Sequence, residues 1–310
     1  MNETYLYPYS AAEANKRNEL ALWRESHKAN IACRNAIEET IRQNFDGMNL
    51  KEKCIQPVLD EYGYAAQYGA NFWGTKCEEF GGLPLLIKLI DAKTNLSIQV
   101  HPDNAYALEH EHQYGKTEMW YVMEAAPDAY LYYGLKKSVT KGELSKSITD
   151  GTIIDLLRAV PVHAGDLFFI PAGTIHAICG GTVIAEIQQN SNVTYRVFDY
   201  NRIGKDGKKR QLHVQQALDV VNLNPTPLKW DFGPHLATCP YFTVDKVVGP
   251  ARGICSEESF VSILIVKGQG TVSCAGECAP AKQGDSFVLP AGSGGWAIDG
   301  NCEALVTQLE

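Results

Sequence analysis

With 310 residues and 45% apolar content, the chain can bury a large core and fold as two domains or as one two-part domain. Its formal charge of −8 and scattered lysines and arginines exclude a broad surface for nucleic acid or anionic membrane, so an anionic ligand would need a local basic pocket. No apolar run approaches a membrane span, and MNETYLYPYS lacks the basic start and apolar stretch of a secretion signal, which predicts a cytoplasmic protein.

In chain order, Ser10-Ala-Ala-Glu13 has the form of a capping box, and no Gly or Pro interrupts Ala11 to Phe45, which predicts one or two helices there. Asp46-Gly47 marks a turn, and Leu50 to Tyr62 reads as a short amphipathic helix with Ile55, Val58 and Leu59 on one side. Tyr64 to Gly82 is rich in glycine and reads as loop. From Leu83 to Tyr200 the pattern changes to short β-branched and aromatic runs between Gly, Pro and Asp turns, as in a β-sandwich or barrel, with one helical interruption between Lys141 and Arg158. Arg202 to Lys209 is a charged loop and Val214 to Val221 a short helix. Pro225 and Pro227 mark a linker, and Tyr241 to Leu309 returns to short strands. The expected organisation is a helical segment with loop at 1–82, a catalytic β domain at 83–224 and a second β domain at 225–310.

The nine cysteines are odd in number and contain no C-x-x-C pair, which predicts reduced thiols. Cys274 and Cys278 read as strand neighbours, since no histidine lies nearby to complete a metal site.

Functional chemistry concentrates around QVHPDNAYALEHEHQYGKTE. Ser97 to His101 alternates with the period of a strand, so Gln99 and His101 project from one face while Ile98 and Val100 face the other way. A second strand from Gly115 to Val122 can bring Glu118 to the same space. A third arm, Gly165 to His176, is a strand followed by a turn that Pro171 and Gly173 force, ending on a histidine. Gln99, His101, Glu118 and His176 together make a metal site. His110 and His112 resemble ligands by composition but fall in a loop, as solvent-facing or substrate-rim residues, while His163 and His213 read as structural. The strand-turn unit recurs: GDLFFIPAG at Gly165–Gly173 returns as GDSFVLPAG at Gly284–Gly292. Three residues after the last glycine stands His176 in the first copy and Gly295 in the second, so the first copy should hold the site and the second should be structural.

Gly165, Pro171, Gly173 and His176 fall at the G-x5-P-x-G-x2-H spacing of the second cupin motif. Gln99-Val-His101 with Glu118 resembles a first motif whose leading histidine is glutamine. More closely, KLIDAKTNLSIQVHPDN, GKTEMWYV, FFIPAGTIHAI and EIQQNSNVTYRVFDYNR resemble type I mannose-6-phosphate isomerases in their short bacterial form, densely over Leu83 to Leu223 and loosely in the C-terminal segment. The resemblance implies a mainly β cupin fold, a double-stranded β-helix or jelly-roll, followed by a cupin-like β domain without a metal site. It also implies one zinc ion per chain on Gln99, His101, Glu118 and His176, with Lys116, Lys88, Glu186 and Arg196 as active-site residues. The implied partner is a small-molecule sugar phosphate, with neither nucleic acid nor membrane. The chain departs from the pattern twice: Asn192 stands where many relatives carry aspartate, and the N-terminus lacks the expected opening strands and W-G-G, with Trp73-Gly74 as its only echo.

Chemistry supports an isomerase on separate grounds. Interconverting an aldose and a ketose phosphate moves a proton between C1 and C2 through an enediolate, which requires an electrophile and a positioned acid/base. Zinc suits the first role, and Lys116 and Glu186 are candidates for the second. Arg196 suits charge stabilisation, not proton abstraction, and Lys88 can do similar electrostatic work. The rival reading is a non-catalytic metal-containing cupin that binds or senses a sugar phosphate. A cupin oxidase would usually show H-x-H in its first motif.

Overall fold

A computed structural model describes residues 51–54, 73–80, 84–203 and 207–309. They fall into two compact units, one of residues 87–231 with 51–53, the other of residues 232–309 with 54, 73–80 and 84–86.

Ten strands build the first unit around the site: β1 (Lys51–Cys54), β2 (Leu85–Ala92), β3 (Ile98–Val100), β4 (Glu118–Ala125), β5 (Tyr130–Leu135), β6 (Leu157–Pro161), β7 (Leu167–Ile170), β8 (His176–Ile178), β9 (Thr182–Gln189) and β10 (Tyr195–Phe198). They pair as two five-stranded sheets, β1-β2-β9-β4-β7 and β10-β3-β8-β5-β6. Ile90, Trp120, Val122, Phe168, Ile170 and Ile184 of the first sheet pack with Leu131, Tyr133 and Ile178 of the second in one buried cluster. The two sheets therefore stack face to face, as in the double-stranded β-helix of a cupin.

Among the described residues three α-helices accompany these strands: α1 (Asn104–His110), α2 (Lys141–Asp150) and α3 (Val214–Val220). The helical interruption expected after Lys141 is α2. Thr140 and Glu143 close a reciprocal capping box at its start, and Gly151, at φ 74°, ends it. Leu144 and Ile148 of α2 and Ala217 and Leu218 of α3 join Ile98, Val100 and Ala177 in a second core. Ile98 and Val100 thus point to the helices, which leaves Gln99 on the opposite face of β3.

Two local expectations change. Lys51–Cys54 is a strand at the edge of the first sheet, not the opening of a helix from Leu50 to Tyr62, because pairing with a neighbouring strand outweighs a weak local helix preference. The rest of that helix and the helical segment from Ala11 to Phe45 lie outside the described residues. His110 lies on α1, capped by the Asp103 carboxylate, which accepts from Tyr106 N, where a loop is expected.

The second unit contains β11 (Ala237–Cys239), β12 (Phe242–Val248), β13 (Ala251–Cys255), β14 (Val261–Cys274), β15 (Glu277–Lys282), β16 (Ser286–Leu289) and β17 (Gly294–Gln308) in one antiparallel sheet system dominated by the long β14–β17 pair. Cys274 and Cys278 sit on the two strands of the β14–β15 hairpin, one residue out of register, and both are free thiols. Trp73 is buried in this unit, edge-on to Phe260 at 5.6 Å. The next residue, Gly74, has φ 95°, and a Cβ there would stand 2.4 Å from the Glu258 carbonyl oxygen. Gly74→Ala therefore combines a disfavoured backbone with an overlap against main chain that no rotamer relieves, at a cost of about 1–3 kcal/mol. The expected result is a melting temperature several degrees below wild type in calorimetry; an unchanged transition would show that this turn relaxes freely.

Candidate metal centre and active site

The ligand candidates meet because of strand register. Gln99 of β3 lies directly opposite His176 of β8, and in an antiparallel pair directly opposed residues share a face. His101 follows β3 by one residue. Its carbonyl accepts from Gly173 N at 2.8 Å, which ties the β7–β8 turn to the end of β3 and so sets His176 against His101. Gly173 allows this: its φ is 83°, and a Cβ would press on the Val220 carbonyl at 2.9 Å. Glu118 opens β4 in the facing sheet. The side-chain donor atoms of His101, Glu118 and His176 lie within 4.8 Å of one another, and all three residues are buried.

Hydrogen bonding sets the histidine tautomers. His101 Nδ1 is 2.8 Å from the Val193 carbonyl and His176 Nδ1 is 2.8 Å from that of Thr174. A carbonyl only accepts, so each Nδ1 carries the proton and each Nε2 offers a lone pair. Burial, reinforced by Lys116, pushes the His101 pKa down to about 3, and burial also lowers that of His176, so both rings are neutral. Burial would raise the Glu118 carboxyl, but the Lys116 ammonium beside it outweighs burial and holds Glu118 ionised, well below the usual carboxylate range.

Acceptors consequently face acceptors. His101 Nε2 is 3.1 Å from Glu118 Oε1, and His176 Nε2 is 3.8 Å from Glu118 Oε2. Two imidazole lone pairs converging on a buried carboxylate call for positive charge, which the Lys116 ammonium supplies beside Glu118 Oε1 and His101 Nε2, and the nitrogen and oxygen donor set also suits a divalent metal. Gln99 Nε2 lies 3.4 Å from His176 Nε2, and turning its amide over, which leaves its shape unchanged, presents the carbonyl oxygen as a further donor.

Two lysines and a second carboxylate complete the constellation. Lys116 Nζ is 2.5 Å from Glu118 Oε1, 3.4 Å from His101 Nε2 and 4.0 Å from Glu186 Oε1, and Lys88 Nζ is 3.1 Å from Glu186 Oε1. Both lysines and Glu186 are buried. Arg196 stands apart from this group. It is opposite Gln99 on β10 and half-buried, with its guanidinium donating to Ser97 Oγ at 3.4 Å and to the Gln211 carbonyl at 3.0 Å. Burial and neighbouring Arg210 lower its pKa to about 10, which leaves it charged at neutral pH.

Sequence reasoning missed several residues. Trp120 donates its indole N–H toward both Glu118 and Glu186; its signal is its place two residues after Glu118 on the same strand. Arg202 and Arg210 close on Asp199, with Arg210 Nε 2.7 Å from Asp199 Oδ2, and this forms a basic cluster next to Arg196. Asn192 is exposed in the β9–β10 connection. His110, His112 and His163 are exposed. Half-buried His213 accepts at Nδ1 from the Arg196 backbone N–H at 3.2 Å, a structural contact. In the C-terminal copy Gly295 has nothing within 4 Å of its Cβ position and no side chain to offer a metal.

Among protein families, residues 59–154 match the phosphomannose isomerase type I catalytic domain and residues 234–309 the mannose-6-phosphate isomerase cupin domain. Residues 6–68 match a family of unknown function, DUF3849, over the stretch where the expected opening motifs are missing. The chain is 39% identical to the mannose-6-phosphate isomerase of Streptococcus mutans over 252 residues, 78% of each protein. It is 37% identical to mannose-6-phosphate isomerase ManA of Bacillus subtilis over 270 residues, 82% of this chain and 85% of that one. The crystal structure of a mannose 6-phosphate isomerase from Bacillus subtilis superposes with a TM-score of 0.68 at 33% identity, covering 78% of this chain and 80% of that one. Register, buried donors and relatedness across both β units converge, and the chain belongs to the mannose-6-phosphate isomerase family.

Proposed function

We propose that the protein is a zinc-dependent mannose-6-phosphate isomerase, with one zinc ion per chain, that interconverts mannose 6-phosphate and fructose 6-phosphate through an enediolate. The observation that carries this reading is the buried His101–Glu118–His176 group flanked by the Lys116 and Lys88–Glu186 ion pairs, in a chain of this family. Gln99, His101, Glu118 and His176 would hold the metal, which when bound supplies positive charge to the C1 and C2 oxygens as negative charge develops there.

The remaining chemistry belongs to the chain's own groups. The reaction removes the C2 proton of the aldose, moves the electron pair through the enediolate, returns a proton at C1 and passes the O2 hydroxyl proton to O1, so proton-carrying groups must reach both carbons and both oxygens. Lys116 and Glu186 are the titratable side chains that stand beside the ligand cluster with 4.0 Å between them, close enough to share that task. Lys88 is held on Glu186 and keeps a countercharge there when the carboxylate is ionised. Arg196 remains charged, and its planar fork suits the enediolate oxygens. Arg202 and Arg210 set two guanidinium groups against the single Asp199 carboxylate, which suits this pair to meet the phosphate. On this reading the reactive end of the substrate would meet the metal and Arg196, and its charged end Arg202 and Arg210.

The test is a coupled assay with mannose 6-phosphate on protein of measured metal content. Turnover that disappears on chelation, returns with zinc and fails with free mannose is the expected result. Binding of mannose 6-phosphate without turnover at full zinc loading would favour the sugar-phosphate sensor instead.

A further inference from the structure

Trp120 is fully buried on β4, directly opposite Glu186 of β9 and two residues along from Glu118, so all three side chains share the face that lines the site. Its Nε1 is 2.9 Å from Glu118 Oε2 and 3.1 Å from Glu186 Oε2. The other oxygen of each carboxylate meets cations: Glu118 Oε1 meets Lys116, and Glu186 Oε1 meets Lys88. The two acids therefore divide their oxygens in the same way, one to a lysine and one to a shared indole hydrogen. The indole also stands edge-on to the His176 ring, at 5.2 Å and 79°.

An indole N–H suits this position. It donates only, carries no charge, and cannot ligate a metal, so it can hold two carboxylates near each other without competing for the ion or cancelling the charge that attracts it. A tryptophan buried merely for packing would satisfy its N–H on any acceptor, whereas this one is shared between a metal-ligand candidate and a proton-transfer candidate. We propose that Trp120 is a positioning residue that ties the metal-binding carboxylate of Glu118 to the proton-handling carboxylate of Glu186 and fixes the orientation of both. The Glu186 half of this role rests on the isomerase reading; the Glu118 half does not.

The experiment replaces Trp120 in the full-length protein with 3-benzothienylalanine, which keeps the shape of the ring and puts sulfur in place of the N–H, and separately makes Trp120→Phe. Zinc affinity is measured on metal-depleted protein by competition with a chromophoric chelator, and kcat and KM for mannose 6-phosphate are measured at saturating zinc. In the sulfur isostere, zinc affinity should fall roughly 10-fold to 100-fold, as it does when the hydrogen-bond partner of a metal ligand is lost. At full zinc loading kcat should fall about tenfold or more with KM little changed, because carboxylate placement acts in the transition state. If the isostere matches wild type in both measurements and only Trp120→Phe fails, the indole is packing and the proposal is overturned. A loss of zinc affinity with unchanged kcat overturns the tie to Glu186. If wild-type protein does not isomerise mannose 6-phosphate, the functional reading fails on its own account. The isostere's zinc affinity then still decides the Glu118 half, with an unchanged value overturning it. Should Trp120→Phe not fold, the isostere carries the test alone.

Discussion

His101→Ala and His176→Ala should each remove most of the bound zinc and lower turnover by about three orders of magnitude. Each substitution deletes one neutral Nε2 donor and leaves the other histidine, Glu118 and a weakly donating amide, and two strong donors do not hold zinc at the affinity of three. The activity loss follows because a metal electrophile contributes several kcal/mol of charge stabilisation in the transition state, and each 1.36 kcal/mol is tenfold in rate. Metal analysis by mass spectrometry after gel filtration reads the first effect. A second readout avoids activity altogether: zinc binds the folded state, so adding it to depleted wild-type protein should raise the melting temperature, and neither variant should respond. Both rings are fully buried, and His176 packs on Trp120 and His101, so near-ultraviolet circular dichroism must first show that each variant keeps its tertiary packing. Stoichiometric zinc in both folded variants would sink the site.

The convergence of Gln99, His101, Glu118 and His176 was legible because strand periodicity is a strong constraint. Alternation places Gln99 and His101 on one face of β3, and the turn chemistry of Pro171 and Gly173 carries His176 back to it. What period-2 alternation does not reveal is which strands become neighbours. The pairing of β4 with β9, which sets Trp120 opposite Glu186, joins residues 66 apart in sequence, and the single indole hydrogen shared by two acids is visible only after that pairing. The Asp199–Arg202–Arg210 cluster was hidden for a different reason. Only Arg202 falls in the stretch read as a charged loop, Arg202 to Lys209, where charge ordinarily signals solvent; Asp199 precedes that stretch and Arg210 follows it, yet Asp199 is buried and both arginines close on it. Burial there also explains the electrostatics: desolvation would raise the Asp199 carboxyl, and the two guanidinium groups bring it below its ordinary value. Asn192, which stands where the resemblance expects aspartate, is exposed in the β9–β10 connection, a position that the sequence pattern alone does not reveal. The strand at Lys51–Cys54 was misread because four residues carry almost no periodic signal.

Arg196→Ala should lower kcat by about two orders of magnitude or more while zinc stays bound. Among the described residues the guanidinium donates to Ser97 Oγ and the Gln211 carbonyl and not to a ligand candidate, so its removal breaks no hydrogen bond of the ligand cluster. If it stabilises the enediolate, its interaction is stronger with the transition state than with bound sugar, and the loss falls on kcat more than on KM. Lys116→Ala differs in a way that separates the two roles. Lys116 lies 2.5 Å from Glu118 and 3.4 Å from His101 Nε2, so its removal takes a positive charge from the centre and should alter the pH dependence of kcat as well as its magnitude. Arg196→Lys is the sharper control, because it keeps the charge and loses the planar fork: partial recovery of kcat assigns the role to charge, and none assigns it to bidentate geometry. Asn192→Asp completes the series. With its side chain exposed, it should leave turnover within a few-fold of wild type. If wild-type protein binds mannose 6-phosphate with full zinc and does not turn over, while Asn192→Asp does, the sensor reading stands and the missing carboxylate is its cause. If Arg196→Ala turns over as fast as wild type, the isomerase reading survives but the oxyanion must be stabilised by the metal and the two lysines alone.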